Sequence, residues 1–135
     1  MSEMAPLQST LYVDAPAVGT AGNDDSAVIG VAPFAGTLTG VSYIPKAAIT
    51  GAATNNRKVE VYNRGAAGAG TTLMASITYA SGVNAAADDE NTVTLSATPA
   101  NLVVAEGDVL EWVSTHLNTG ITDPGGVVKV TLARS

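Results

Sequence analysis

The chain has one histidine, His116, and no cysteine. A Ser-His-Asp relay would have to run through His116, and no Gly-x-Ser-x-Gly elbow is present to expose a serine to it. One imidazole and no thiolate cannot build the His or Cys clusters that hold zinc. Gly65-Ala66-Ala67-Gly68-Ala69-Gly70-Thr71-Thr72 has the glycine spacing of a phosphate loop. Position 71 is threonine where that loop needs a lysine, and the next residues alternate as a strand, so no helix N-terminus faces an anion. The run reads as a hairpin tip. Two acidic groups, Asp24-Asp25 and Asp88-Asp89-Glu90, lack EF-hand spacing and read as solvated turn residues. No catalytic, cofactor-binding or metal-binding residue is expected, and the chain is not expected to be an enzyme.

Composition narrows the partners. Twelve acids against six bases give a net charge of −6, the wrong sign for gripping phosphates, so nucleic acid is not an expected partner. Charged residues are 13% of the chain, about half the usual share. The surface must therefore be built from Thr, Ser, Asn, Gly and Ala, which suits packing against other proteins. No apolar run is long enough to span a membrane, and Met1-Ser2-Glu3-Met4-Ala5-Pro6 has no basic start or apolar stretch that would mark a secretory signal. One Trp, one Phe and four Tyr are few for an aromatic binding platform. Trp112 sits amid apolar neighbours and reads as core.

What must position any site is a set of strands. Leu73, Ala75, Ile77 and Tyr79 alternate with Thr72, Met74, Ser76 and Thr78; Val93, Leu95 and Ala97 with Thr92, Thr94 and Ser96; Val128, Val130 and Leu132 with Lys129, Thr131 and Ala133; Val59 and Val61 with Lys58, Glu60 and Tyr62. Each alternation predicts one buried and one wet face. Ala27, Ile29 and Val31 form a further stripe. Between Gly36 and Pro45 the phase slips from Leu38 to Val41 and Tyr43, which a β-bulge at Gly40 would absorb. From Asp108 to Leu117 both faces are partly apolar, as in a strand covered on both sides or one at an interface. Leu11 and Val13 make a short first strand.

Turn-rich segments separate these runs: Gly19–Asp25, Gly65–Gly70, Glu106-Gly107-Asp108 and Asp123-Pro124-Gly125-Gly126. The stretch from Ala85 to Asn91 could hold one helical turn. About eight strands spaced roughly ten residues apart, with no long helix, predict an all-β fold: a two-sheet antiparallel sandwich, jelly-roll-like. Residues 9–135 form that single domain. Residues 1–8 are expected to be an N-terminal arm outside it.

Three stretches together carry a resemblance. They are Pro33-Phe34-Ala35-Gly36-Thr37-Leu38-Thr39-Gly40-Val41-Ser42-Tyr43-Ile44-Pro45, then Asn55-Asn56-Arg57-Lys58-Val59-Glu60-Val61-Tyr62-Asn63, then Val104-Ala105-Glu106-Gly107-Asp108-Val109-Leu110-Glu111-Trp112. In this order they resemble the small β-sandwich head decoration (cement) proteins of tailed bacteriophages. The resemblance implies a structural virion protein made in the bacterial cytoplasm. Such a protein sits on the outer capsid face, often as a homotrimer, and bridges subunits of the major capsid protein. Met4, Pro6 and Leu7 are the residues expected to dock on a partner. The alternative is a tail-fibre or carbohydrate-binding β-module, which would need exposed rings or a polar groove.

Overall fold

A strand that alternates apolar and polar side chains can bury its apolar face only under a second layer, and the chain supplies that layer itself. The computed structural model describes residues 7–135. The strands are β1 (Gln8–Ala15), β2 (Asp25–Val31), β3 (Gly36–Pro45), β4 (Asn56–Gly65), β5 (Thr72–Thr78), β6 (Asn91–Thr92), β7 (Thr94–Leu95), β8 (Val103–Val104), β9 (Val109–Leu117) and β10 (Gly126–Arg134). One 3-10 turn spans Pro99–Leu102.

Two antiparallel sheets pack face to face. The first has the order β1-β10-β3-β6, with β8 also pairing β3; the second is β2-β9-β4-β5-β7. The chain crosses between the sheets at every connection except that from β4 to β5. This is jelly-roll connectivity, and it confirms the predicted two-sheet sandwich. Gln8, expected in the arm, is already the first residue of β1, paired with Ala133 of β10. Met4 and Pro6 lie outside the described residues.

In β4, β9 and β10 the core is where the alternation predicted it. Val128, Val130 and Leu132 of β10, Val59 and Val61 of β4, and Leu110 and Trp112 of β9 are fully buried. The Tyr43 and Trp112 rings meet with centroids 5.0 Å apart and planes tilted by 58°, a favourable geometry for the two ring quadrupoles. The outer face of β9 is only half covered: Val109 and Val113 are partly exposed, so within the chain the strand is not enclosed on both sides.

The phase slip in β3 is a bulge. Gly40 pairs Thr131 and Leu38 pairs Leu132, which leaves Thr39 as the extra residue. Leu38, Val41 and Tyr43 are thereby all buried. Gly40 does not adopt a left-handed backbone, so its role is not the conformational one its residue type implied.

Other expectations fail at irregularities the sequence does not mark. In β5 Met74 is the extra residue between the pairs Val61–Ala75 and Tyr62–Leu73. Met74 turns into the core, and Leu73 moves to the outer face beside Tyr62. In β2 Ile29 is the extra residue. It is buried, while Val31 is turned out to 52% exposure. The single strand predicted over 92–97 is two. Thr92 pairs β3 in one sheet and Thr94 pairs β5 in the other. Val93, fully buried, spans the gap and donates its N–H to the Val41 carbonyl at 2.9 Å. The segment 85–91 contains no helical turn; Asp88 has a φ of 57° and its N–H donates to the Pro45 carbonyl at 2.8 Å.

Candidate interaction surface

The two ends of the sandwich differ in kind. One end is formed by the start of β1, the end of β2, the start of β3, β8 and the end of β10, which the pairs Gln8–Ala133, Gly36–Arg134, Gly36–Val104 and Val31–Val109 bring together. Here apolar side chains face water: Leu7 is 53% exposed, and Val31 and Val103 are exposed to a similar degree. A groove of about 580 Å³ opens beside Leu7, lined also by Pro33, Phe34, Glu106, Arg134 and Ser135 among others. Leu7 is anchored by its backbone, since its carbonyl accepts the Arg134 N–H at 2.8 Å. Its side chain is free to contact a partner.

The turn that builds this end is tightly tied. The Gly107 N–H donates to the Ala32 carbonyl at 2.9 Å and the Ala32 N–H to the Asp108 carbonyl at 2.8 Å. Asp108 Oδ2 accepts from the Ala105 N–H at 2.8 Å and from Asn63 Nδ2 at 2.9 Å. Gly107, with φ of 91°, supplies the left-handed residue the turn requires. The Glu-Gly-Asp turn signal was legible in the sequence. Its bond to Asn63, 45 residues away, was not.

The opposite end is closed by buried polar groups. Asp123 Oδ1 accepts from the Tyr43 hydroxyl at 2.5 Å and from the Gly125 N–H at 3.0 Å; Oδ2 accepts from the Ser114 hydroxyl at 2.7 Å. Arg57 donates to the Ile121 carbonyl at 2.8 Å, the Ala21 carbonyl at 3.0 Å and the Ser114 hydroxyl at 3.3 Å. Tyr43, Arg57, Ser114 and Asp123 are all buried to about 1% exposure or less. Burial, and then the neighbouring Asp123, push the Tyr43 hydroxyl far above its ordinary titration range. Burial also lowers the Arg57 guanidinium from its ordinary value, against the pull of Asp123 and Asp24. Tyr79 is pushed up to about 12, mainly by burial. Substrate has no access to these groups, and the network works as a tie between the two sheets and the loops at this end. Sequence reasoning missed it because Arg57 falls in register with Val59 and Val61, where a charge is unexpected.

Each residue considered for chemistry now has a place. His116 Nδ1 meets Asp24 Oδ1 at 2.6 Å, and the His116 N–H donates to the same oxygen at 2.7 Å. Ser114 is engaged with Asp123 and Arg57, so it does not stand in series with the His116 imidazole. Gly65–Gly70 is the β4–β5 hairpin tip, with Gly65 and Gly68 at positive φ. The acidic loop residues do not converge: among the described residues no group of three or more His, Cys, Asp or Glu is placed to hold a metal ion. Trp112, Tyr43 and Tyr79 are core, which leaves Tyr12 as the strongly exposed ring. Tyr62 lies under the Arg64 guanidinium at 4.5 Å, and Arg64 pairs Glu111 at 2.7 Å.

No family model matches the chain, and neither does any curated protein or any solved structure. What the fold and surface define directly is a jelly-roll sandwich with a sealed polar end and an apolar, grooved end.

Proposed function

We propose that this chain is a structural protein that binds a larger protein assembly through the apolar end of its sandwich. The assembly we have in view is the head of a tailed bacteriophage. There the chain would act as a decoration protein on the outer face of the major capsid protein, stabilising contacts between its subunits.

Carrying this reading is the exposure of Leu7, Val31 and Val103 at one end of the sandwich, where Leu7 also lines the groove. Exposed apolar groups gathered at one place mark an interaction site, whereas scattered ones need no explanation. Three further features support it. Leu7 is one of the docking residues expected from the sequence. The low density of charge favours protein contact over solvation. Jelly rolls are frequent in viral capsid proteins, although fold alone does not assign a function.

Adding the purified chain to mature phage heads that lack it tests the reading. Saturable binding is expected, together with greater resistance of the heads to heat. Leu7→Asp and Val31→Asp should each weaken that binding at least tenfold without unfolding the domain. Heads that take up none of the wild-type chain sink the proposal.

A further inference from the structure

We propose that two copies of this chain join edge to edge through β1, antiparallel and about a two-fold axis beside Leu11, so that their first sheets continue into one another.

The free border of β1 points to this pairing. The Arg134 N–H donates to the Leu7 carbonyl, and continuing the register by one residue beyond Gln8–Ala133 sets the two opposite each other. They form a hydrogen-bonded pair, so by the alternation of an antiparallel ladder Ser9, Leu11, Val13 and Ala15 also turn their backbone groups toward β10. Gln8, Thr10, Tyr12 and Asp14 must then turn theirs away, to the side where no strand of the described residues pairs with β1.

A free edge of this kind is normally guarded by brevity, a bulge, a proline or a lysine. The other borders are guarded in such ways. β6, β7 and β8 are two residues each. β2 carries the bulge at Ile29 and opens on Asp25. β1 has none of these features. It is eight residues long, pairs β10 without a register shift, contains neither proline nor lysine, and has Leu11-Tyr12-Val13 at its centre. Tyr12 is 63% exposed, and Leu11 and Val13 are only partly buried.

Self-pairing fits this strand. With Leu11 opposite Leu11 of the second copy, Thr10 lies opposite Tyr12 and Gln8 opposite Asp14. Every outward backbone group is then used, and no carboxylate faces another. Leu11 and Val13 also gain cover on their open flank. A two-fold contact of this isologous type is the commonest way for copies of one chain to associate.

The inference stands apart from the shell-binding reading, because it uses the border of the sandwich and not its grooved end. It differs from the trimer that the resemblance implies. Sedimentation of the full 13.5 kDa chain over a range of concentrations should show a monomer–dimer equilibrium. Thr10→Lys with Tyr12→Lys sets like charges opposite each other and should weaken the dimer at least tenfold. Thr10→Lys with Tyr12→Glu sets opposite charges face to face in this register and should keep it. The chain has no cysteine, so Leu11→Cys should cross-link two copies on oxidation. Tyr12→Cys should not, because its counterpart lies beyond disulfide reach.

A chain that stays monomeric, a trimer, or a dimer indifferent to both charge pairs overturns the inference. The charge variants lie on the outer face, so they keep the test valid even if Leu11→Cys impairs folding. Binding of either charge variant to phage heads reports separately on the function proposed above.

Discussion

The Tyr43 hydroxyl donates to Asp123 Oδ1 at 2.5 Å, joining β3 of one sheet to the loop that carries the chain from β9 of the other sheet into β10. Asp123 also exchanges backbone hydrogen bonds with Val18, at 2.8 and 3.0 Å. Asp123 thus joins both loops at the polar end, through its backbone to Val18 and through its carboxylate to Tyr43 and Ser114. Tyr43→Phe removes a donor from a buried acceptor and should destabilise the domain by about 2–3 kcal/mol in chemical denaturation. Tyr79 offers the contrast. Its hydroxyl is buried with no hydrogen-bond partner among the described residues, so Tyr79→Phe should change stability by less than about 1 kcal/mol. Equal losses in the two variants would contradict this account.

Arg57 should be irreplaceable by lysine. Its Nε, Nη1 and Nη2 each reach a different acceptor, a fork that an ammonium cannot reproduce. Arg57→Lys and Arg57→Met should both cost about 3 kcal/mol, because each leaves buried carbonyls unpaired. Urea midpoints measure the effect, and recovery of wild-type stability by lysine would refute the fork as its cause.

Two glycines of β3 should respond in opposite ways to alanine. A Cβ at Gly40 meets nothing within 4 Å, and its backbone is not left-handed. Gly40→Ala should be neutral or stabilise by up to about 1 kcal/mol, through the less flexible unfolded chain. A Cβ at Gly36 would sit 2.1 Å from the Ala133 carbonyl oxygen. Gly36→Ala should destabilise by about 1–3 kcal/mol as the strands are forced apart. Thermal melts of the two variants decide the comparison.

Acid should loosen the contact between the β1–β2 loop and β9. The backbone N–H of His116, then its ring, hold the Asp24 carboxyl below its ordinary value of 3.8. A depressed carboxyl contributes stability that is complete above its ordinary range and is lost as pH falls through the lower folded value. Stability measured stepwise below pH 3.8 should therefore fall less steeply in Asp24→Asn than in the wild type. Parallel acid limbs would exclude this linkage.

Much of the fold could be read from residue order, because period-two alternation is a local property. A strand that buries Val128, Val130 and Leu132 on one face declares itself without reference to its neighbours. The two-sheet class, the core position of Trp112, the phase slip beside Gly40 and the hairpin tip at Gly65–Gly70 all follow from such local signals. The paucity of residues for chemistry was equally plain. Leu7 was singled out by its place near the start of the chain, but nothing in the sequence showed that it borders a groove with Phe34 and Glu106.

The tertiary structure decided what depends on partners distant in the chain. Bulges at Ile29 and Met74 are set by register against β9 and β4, so the local pattern placed Val31 and Met74 on the wrong faces. Val93 lies in a run that alternates without a break, yet the chain changes sheets there because its neighbours pair with different strands. Arg57 and Asp123 are 66 positions apart. A charge at each would be costly in a core on its own, and burial is tolerable because folding surrounds both with hydrogen-bonding groups. Local alternation therefore determined which segments are strands. The pairing of distant segments determined which side chains face inward, which end is sealed, and that no strand among the described residues pairs with the outer edge of β1.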